Sequence, residues 1–187
     1  MASILDHLSR RLRAMHSLYE DATGSMTLEH VNHFEREGVL PIAFSLFHYV
    51  NMEDSSLFLL SGQAPIFDDG WAAKISPAIA DHGKHRTVEE MVDQRIGDYA
   101  AFLDYMEAVF DRTEQWVAGL SAEDLDRVVI ARPLPPQVAS TYSARVAGEQ
   151  GVTVLDGLEC WIYQHGLRHM GEIELARGFV GLGGMTS

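Results

Sequence analysis

Apolar residues recur at intervals of three and four along most of this chain, the period of an α-helix that buries one face. In the first such run, Ile4, Leu8 and Leu12 mark the buried stripe. A capping box of Thr87 and Glu90 opens a later run. The pattern predicts four long helices, at about residues 3–22, 39–60, 87–119 and 153–178.

Two stretches without helical periodicity, residues 61–86 and 121–152, follow the second and third predicted helices. Both contain Gly and Pro, and segments of this length in a compact domain usually carry function or are ordered by packing. Within the second stretch, residues 128–130 are expected to pair as a short strand with residues 152–154. Four amphipathic helices with long connections after helices 2 and 3 predict an all-α four-helix bundle.

The length of 187 residues favours a single domain over residues 1–187. The net charge is -13, from 14 basic and 27 acidic residues, so we expect neither nucleic acid nor an anionic membrane as a partner. No run is apolar enough to span a bilayer. The N-terminus lacks the apolar core of a secretion signal, and a cytoplasmic location is expected.

The sequence contains one cysteine, Cys160, so no intrachain disulfide forms and a reducing compartment is expected. Its neighbours Leu158 and Trp161 favour a small buried core residue over a reactive thiol. The sequence has no His-Glu-x-x-His zinc-protease motif, no Gly-x-Ser-x-Gly elbow and no phosphate-binding glycine loop.

His165 and His169 are the first residues that indicate chemistry. Four residues apart on a helix, two imidazoles lie on one face about one turn apart and can bind one divalent metal. Both replace apolar residues on the core-facing stripe of the fourth helix, and Glu172 does so one turn later. Each buried polar group left without a partner would cost about 1–3 kcal/mol. The pattern therefore requires a metal, a water cluster or a hydrogen-bond network.

The second helix offers a complementary set of polar residues on its own apolar stripe. His48 lies there, followed by Asn51 and Ser55. Because polar residues interrupt the stripes of two helices, we expect a polar cavity inside the bundle, with Asn51 and Ser55 in its lining. Bundle cores are common places for metal sites.

We predict that His48, His165 and His169 form one metal site. Three protein ligands leave a position open for water or substrate, the pattern of a catalytic centre. Glu172 is expected either to orient a ligand or to act as a general base. Two other interpretations stay open, a non-catalytic binding or stress-response protein with a closed site, and a metal-free hydrogen-bond network. Three imidazoles suit Zn, Ni, Cu or Fe alike.

Several segments resemble the DinB/YfiT-like superfamily of metal-binding proteins, and together they cover most of the chain. The most specific is His-Gly-Leu-Arg-His-Met-Gly-Glu-Ile-Glu-Leu-Ala-Arg-Gly at residues 165–178. The others are Leu-Phe-His-Tyr-Val-Asn-Met-Glu-Asp at 46–54, Phe-Asp-Asp-Gly-Trp-Ala-Ala-Lys at 67–74 and Leu-Ser-Ala-Glu-Asp-Leu-Asp-Arg at 120–127.

The resemblance implies a four-helix bundle that binds a divalent metal, commonly zinc or nickel, through His48, His165 and His169. It also implies a homodimer. Related proteins include bacillithiol and mycothiol S-transferases and mycothiol-dependent maleylpyruvate isomerase. The expected chemistry is therefore S-transfer or isomerisation of a small-molecule substrate, with a low-molecular-weight thiol activated as a thiolate at the metal. The family name refers to DNA damage induction, but it implies no DNA-handling activity here.

Overall fold

The four regions of helical periodicity are largely helical in the computed structural model, which describes residues 3–185. The all-α prediction is confirmed. The two residues at each end of the predicted 1–187 domain lie outside the described range. The elements in chain order are α1 (Ile4–Gly24), α2 (Leu28–Val31), α3 (Ile42–Ser61), α4 (Asp69–Ile75), α5 (Val88–Met91), α6 (Tyr99–Ala118), α7 (Ala122–Leu125), β1 (Val128–Ala131), α8 (Pro136–Ala139), α9 (Tyr142–Val146), β2 (Gly151–Thr153), α10 (Val154–Gly157), a π-helical turn (Leu158–Tyr163) and α11 (Gln164–Phe179).

Capping side chains determine where the helices begin. Ser3 and Thr153 each accept a hydrogen bond from the amide three residues later, and Asp6 and Asp156 accept one in return. Both α1 and α10 therefore start with a capping box. Pro41 is the N-cap residue of α3 instead of part of its first turn, so α3 begins three residues later than predicted.

The third predicted helix, residues 87–119, is wrong in its first part. Thr87 does form its capping box, but the box caps only the single turn of α5. The chain then bends back, because the amides of Gly97 and Asp98 both donate to the carbonyl of Ile75, at 3.1 and 2.9 Å. Asp98 caps a new helix, α6, which begins at Tyr99.

The last predicted helix is continuous from α10 to α11 but contains a π-helical turn that the periodicity does not indicate. At its end the amide of Gln164 donates to the carbonyl of Glu159, five residues earlier. The wider turn rotates every residue that follows. The buried positions are Val154, Gly157, Leu158 and Ile162 before or within it, and Gly166, His169, Met170, Ile173 and Arg177 after it.

The central helix is α3, which is buried on almost all of its faces and packs against α6, the π turn and α11. Its buried polar side chains bind the segments around it. The Asp54 carboxylate accepts from the amides of Ile66 and Phe67 at 2.9 to 3.1 Å. It also contacts the guanidinium of Arg112 at 3.2 Å. Asp54 thereby anchors the start of the 61–86 connection to α3 and α6.

A buried ion cluster joins α3 to α1 and α6. His16 is 1% exposed, with Nε2 3.2 Å from Glu53 and Nδ1 2.9 Å from Glu114. Its ring stacks on Phe110, and Tyr49 donates to the second oxygen of Glu53. Burial opposes a charge on the imidazole, but attraction by the two carboxylates outweighs it and raises the pKa of His16.

The strands β1 and β2 form an antiparallel pair, as predicted, with Val128 opposite Thr153 and Ala131 opposite Gly151. The pair ties the first part of the 121–152 connection to the start of the last helix, and α9 packs against the π turn. Within residues 3–185, no helix has the length and apolarity that crossing a membrane requires.

We predict that the stabilising effect of His16 declines as the pH rises. A histidine whose pKa is raised by folding stabilises the folded state fully at pH values below its unfolded pKa of about 6.5. This stabilisation is lost as the pH rises through the pKa of the folded state. His16→Phe should lower the free energy of unfolding by about 3 kcal/mol near pH 6, because it leaves a carboxylate buried without its cation, and by less near pH 9.

Urea denaturation at the two pH values measures this difference. The control is His7→Gln, which changes an exposed histidine of the same helix and should alter stability little at either pH. An equal loss of stability for His16→Phe at both pH values would show that His16 acts as a neutral packing residue.

Candidate metal centre

Three histidines from two helices meet at one point. His48 lies in the middle of α3, and His165 and His169 lie one turn apart in α11. The Nε2 atom of His165 is 3.3 Å from Nε2 of His48 and 3.0 Å from Nε2 of His169. Each residue offers one ligand atom to a group whose members all lie within 4.8 Å of one another. The fold thus brings the predicted trio together.

In two of these histidines the second ring nitrogen, Nδ1, is hydrogen-bonded to an acceptor on the side away from the converging Nε2 atoms. Nδ1 of His48 donates to the carbonyl oxygen of His82, and Nδ1 of His169 donates to Oε2 of Glu172 at 2.6 Å. A neutral imidazole with its proton on Nδ1 has a lone pair on Nε2. His48 and His169 therefore both direct lone pairs towards His165.

Hydrogen bonds alone do not satisfy this arrangement. Three Nε2 atoms converge, and the neutral ring of His165 supplies at most one proton among them. His48 and His169 are 8% and 6% exposed, so solvent can supply few of their missing protons, whereas His165 is half-buried. A tetrahedral ion about 2.0–2.1 Å from each nitrogen needs nitrogens about 3.3 Å apart. The two shortest separations, 3.0 and 3.3 Å, are close to that value, so the three residues fit a divalent metal.

Burial keeps two of the imidazoles neutral. It lowers the pKa of His48 to about 4. Burial, together with the neighbouring rings of His169 and His48, lowers the pKa of His165 to about 2. Because a histidine must be deprotonated to bind a metal, His48 and His165 are ready to do so at neutral pH.

The lack of a side chain at Gly166 lets α11 approach α3 closely beside His165. A Cβ atom at this position would lie 2.3 Å from the sulfur of Met15 and 2.8 Å from the ring of Tyr49. Both neighbours are fully buried and have no space to move into. Glycine at this position therefore sets the spacing of the helices that carry the three ligands.

The loop that carries His82 is held against α3 by a second glycine. Gly83 has a φ of +73°, and a Cβ atom there would lie 2.8 Å from the ring of Phe44. The same Phe44 ring stacks on His48, with ring centroids 5.3 Å apart. Asp81 fixes the turn by accepting from the amide of Gly83 at 2.8 Å. The 61–86 connection thus contributes a backbone carbonyl to the site.

A cavity of about 810 Å³ opens beside the histidines, and His48 and His165 form part of its wall. A volume of this size suits a small molecule. The rest of the wall comes from α3, the π turn, α11, the 121–152 connection and the loop after His82. Other residues of the wall include Met52, Ser56, Ile130, Thr141, Trp161 and Gln164.

The cavity-lining residues of α3 differ from those expected. Met52 and Ser56 line the cavity, one residue beyond the predicted Asn51 and Ser55. Asn51 is buried on another side of the helix, where its amide donates to the hydroxyl of Tyr105 at 3.4 Å. The reason is that buried residues lie on almost all faces of α3, so the sequence stripe does not show which side faces the cavity.

Glu172 lies at the edge of the site and not in the buried seam, because α11 is rotated relative to the predicted stripe. Its side chain is 45% exposed. Oε2 nevertheless accepts from His169 and from the hydroxyl of Ser45, the latter at 3.2 Å. The hydrogen bond from His169 lowers the pKa of Glu172, which is therefore ionised at neutral pH. This geometry suits a carboxylate that orients a metal ligand.

Cys160 lies within the π turn and lines the cavity, so the prediction that it is a buried core residue is wrong. It is half-buried. Burial, followed by the nearby charges of Asp156 and Glu159, raises the pKa of Cys160 to about 11. The thiol therefore stays protonated at neutral pH and is a poor nucleophile.

Three contributors to the site have no signature in the sequence. The carbonyl of His82 is a backbone group, and Ser45 and Lys84 stand in segments that suggest no chemistry of their own. Two signals indicated a role for this region, the length of the 61–86 connection and the family-like segment at residues 67–74.

Fold and site together define a helical-bundle protein with a candidate three-histidine metal centre. The sequence profile of the DinB superfamily matches residues 11–173, and the chain belongs to that superfamily. No curated protein matches the chain significantly. Its structure is similar to the crystal structure of a conserved protein from Enterococcus faecalis, with a TM-score of 0.75 and 17% sequence identity. The match covers 97% of this chain and 99% of that chain, and at this identity it concerns the fold alone.

We predict that Gly166→Ala destabilises the protein and weakens binding of a divalent metal. The added methyl group overpacks the contact with Met15 and Tyr49, at a cost of about 1–3 kcal/mol, and moves α11 away from α3. The matched control is Gly171→Ala in the same helix, where nothing lies within 4 Å of the new Cβ atom. That change should stabilise the protein by about 1 kcal/mol. Urea denaturation and zinc titration of both variants test this, and equal effects would contradict it.

Proposed function

We propose that this protein is a metal-dependent enzyme that binds one divalent ion, zinc or nickel, through His48, His165 and His169. In this proposal the ion would activate a low-molecular-weight thiol at its open coordination position for S-transfer or isomerisation of a small molecule, with activated water as the alternative nucleophile. The observation that carries the proposal is the convergence of three Nε2 atoms at the wall of a large cavity. A structural metal site would have no need of such a cavity.

The position of Glu172 supports an open centre over a closed one. A non-catalytic binding protein is the alternative, and it would be favoured if Glu172 or another side chain filled the fourth position. The carboxylate is instead engaged by His169 Nδ1 and Ser45, on the side of His169 away from the converging nitrogens. We therefore assign Glu172 the role of orienting His169, and not that of a general base.

The state of Cys160 supports a nucleophile that comes from outside the protein. The cavity contains one thiol, and its pKa is raised to about 11. A bound divalent ion would lower the pKa of an incoming thiol or water and so supply the nucleophile. An external thiol that reaches the open position would bind between the π turn and α3.

The residues around the ligands have defined tasks in this mechanism. The carbonyl of His82 and the carboxylate of Glu172 hold the imidazoles of His48 and His169 with lone pairs towards the centre. Trp161 and the apolar wall around it limit access of bulk water to the nucleophile. We include a homodimer in the proposal, as the family resemblance implies, and size-exclusion chromatography with light scattering measures it.

We predict that the purified protein contains about one divalent metal ion per chain, as three histidine ligands require. His48→Ala, His165→Ala and His169→Ala should each lose it. His33→Ala is the matched control, because this exposed histidine contacts Glu35 and belongs to no candidate metal group among residues 3–185. Elemental analysis after expression in medium that contains zinc and nickel gives the stoichiometry. A wild-type protein without stoichiometric metal would refute the proposal.

Replacement of the metal by Co²⁺ tests the thiol step separately. Thiolate bound to cobalt gives an intense near-ultraviolet charge-transfer band, so addition of a low-molecular-weight thiol should produce this band in the wild type. It should be absent in His165→Ala. A cobalt spectrum that does not respond to any thiol would limit the activated nucleophile to water.

We predict that Glu172→Gln weakens metal binding about tenfold, because an amide is a weaker acceptor than a carboxylate for the Nδ1 proton of His169. The control is Glu107→Gln, which removes one exposed carboxylate from α6. Competition with a metal chelator measures both affinities. If the two variants bind metal equally well, Glu172 does not orient the ligand.

A further inference from the structure

The formal charges on the cavity wall are opposite to those of the protein as a whole. The chain carries 27 acidic and 14 basic residues. None of the acidic residues within 3–185 lines the 810 Å³ cavity, whereas Lys84 and Arg168 both do. The lining of the cavity thus carries two formal positive charges and no carboxylate from residues 3–185, in a protein with a net charge of -13. Asp156 and Glu159 act on Cys160, and Glu172 acts on Arg168, from outside the lining.

Neither cation is neutralised by a close partner within the described part of the chain. No carboxylate of residues 3–185 lies within 4 Å of the amino group of Lys84 or the guanidinium of Arg168. Lys84 follows the loop residue His82, whose carbonyl accepts from His48. Arg168 lies in α11 between two of the proposed metal ligands. Both cations are therefore attached to segments that also build the metal site.

The wall between these cations and the π turn is largely apolar. Met52, Leu59, Val138 and Leu167 contribute aliphatic surface, and Trp161 contributes an aromatic ring. The volume of about 810 Å³ lies within the range that encloses a drug-sized molecule. The chemistry of the wall thus combines an apolar space with two positive charges that have no carboxylate within 4 Å in residues 3–185.

We propose that the substrate is a small organic anion with an apolar or aromatic body, and that Lys84 and Arg168 bind its acidic group. This inference rests on the proposed function, since it names the substrate class of the same site. The guanidinium of Arg168 offers paired donors to a carboxylate, and the ammonium of Lys84 adds a second charge. The anion would thereby be held with its body in the apolar part of the cavity, beside the open position on the histidines.

Calorimetric titration with matched acids and amides tests this proposal. The probes are phenylacetate and naphthylacetate, each compared with its primary amide, which has the same body without the charge. Metal-free protein, prepared with a chelator, is used first so that a bound cation does not attract the anion. Wild type should bind each acid about tenfold more tightly than its amide, and the preference should fall as salt is added.

Four variants assign that preference to residues. Lys84→Gln and Arg168→Gln should each reduce the affinity for the acids several-fold and leave the affinity for the amides unchanged. The controls Lys74→Gln and Arg11→Gln remove exposed cations that do not line this cavity and should change neither affinity. Because Lys84 and Arg168 are exposed and form no ion pair with any residue of 3–185, we expect their replacement to leave the fold intact.

The outcomes separate this inference from the metal proposal. Equal binding of acids and amides, no binding of either, or the same losses in the control variants would overturn the anion site even if metal binding is found. A preference for acids that depends on Lys84 and Arg168 in metal-free protein would support the anion site even if the metal analysis fails.

Discussion

A buried imidazole has two nitrogens, and both need a partner. This requirement organises the site. His48 and His169 use Nδ1 to donate to fixed acceptors on the outer side, which leaves each with an unprotonated Nε2 on the inner side. His165 brings a third Nε2 to the same point. With at most one proton available among three nitrogens, a cation is the simplest partner that satisfies all of them. The loop around His82 and the packing of α11 on α3 both help to position these three nitrogens.

The same rule explains why α3 organises the rest of the structure. On a helix buried on almost all of its faces, most polar side chains have no access to solvent and must bind a neighbouring segment. His48 binds α11 and the loop at His82, Glu53 binds α1, and Asp54 binds the backbone of the 61–86 connection. Polar residues on different faces of one helix thereby fix different parts of the chain around it.

The sequence predicted those parts of the structure that depend on residues close together in the chain, and it failed where contacts between distant residues decide. Helix positions and the strand pair depend on local periodicity and capping, and they were predictable except where a distant contact intervened. One such contact is the double hydrogen bond to the carbonyl of Ile75, which breaks the third helix. The trio of histidines was also predictable, because spacing and stripe position place them on facing helices.

Rotation of the helices about their own axes was not predictable. The π turn carries no distinctive residue pattern, yet it moves Cys160 and Trp161 to the cavity wall and Glu172 to the edge of the site. On α3 the apolar pattern surrounds the whole helix, so Asn51 and Ser55 could not be distinguished from Met52 and Ser56 as lining residues. A backbone acceptor such as the carbonyl of His82 has no residue type by which it could be recognised.

The buried ion cluster and the metal site share one residue, and this links the stability of the fold to the geometry of the site. Tyr49 donates to Glu53 in the cluster, and its ring lies 5.9 Å from that of His165. The Tyr49 ring also lies 2.8 Å from the position that a Cβ atom of Gly166 would take. Replacing a buried ion pair by apolar residues is often neutral or stabilising, so the net stability of the cluster gives little reason for its presence. We infer that the cluster instead fixes the position of Tyr49 and α3 against α1, and that the close approach of α11 depends on that position.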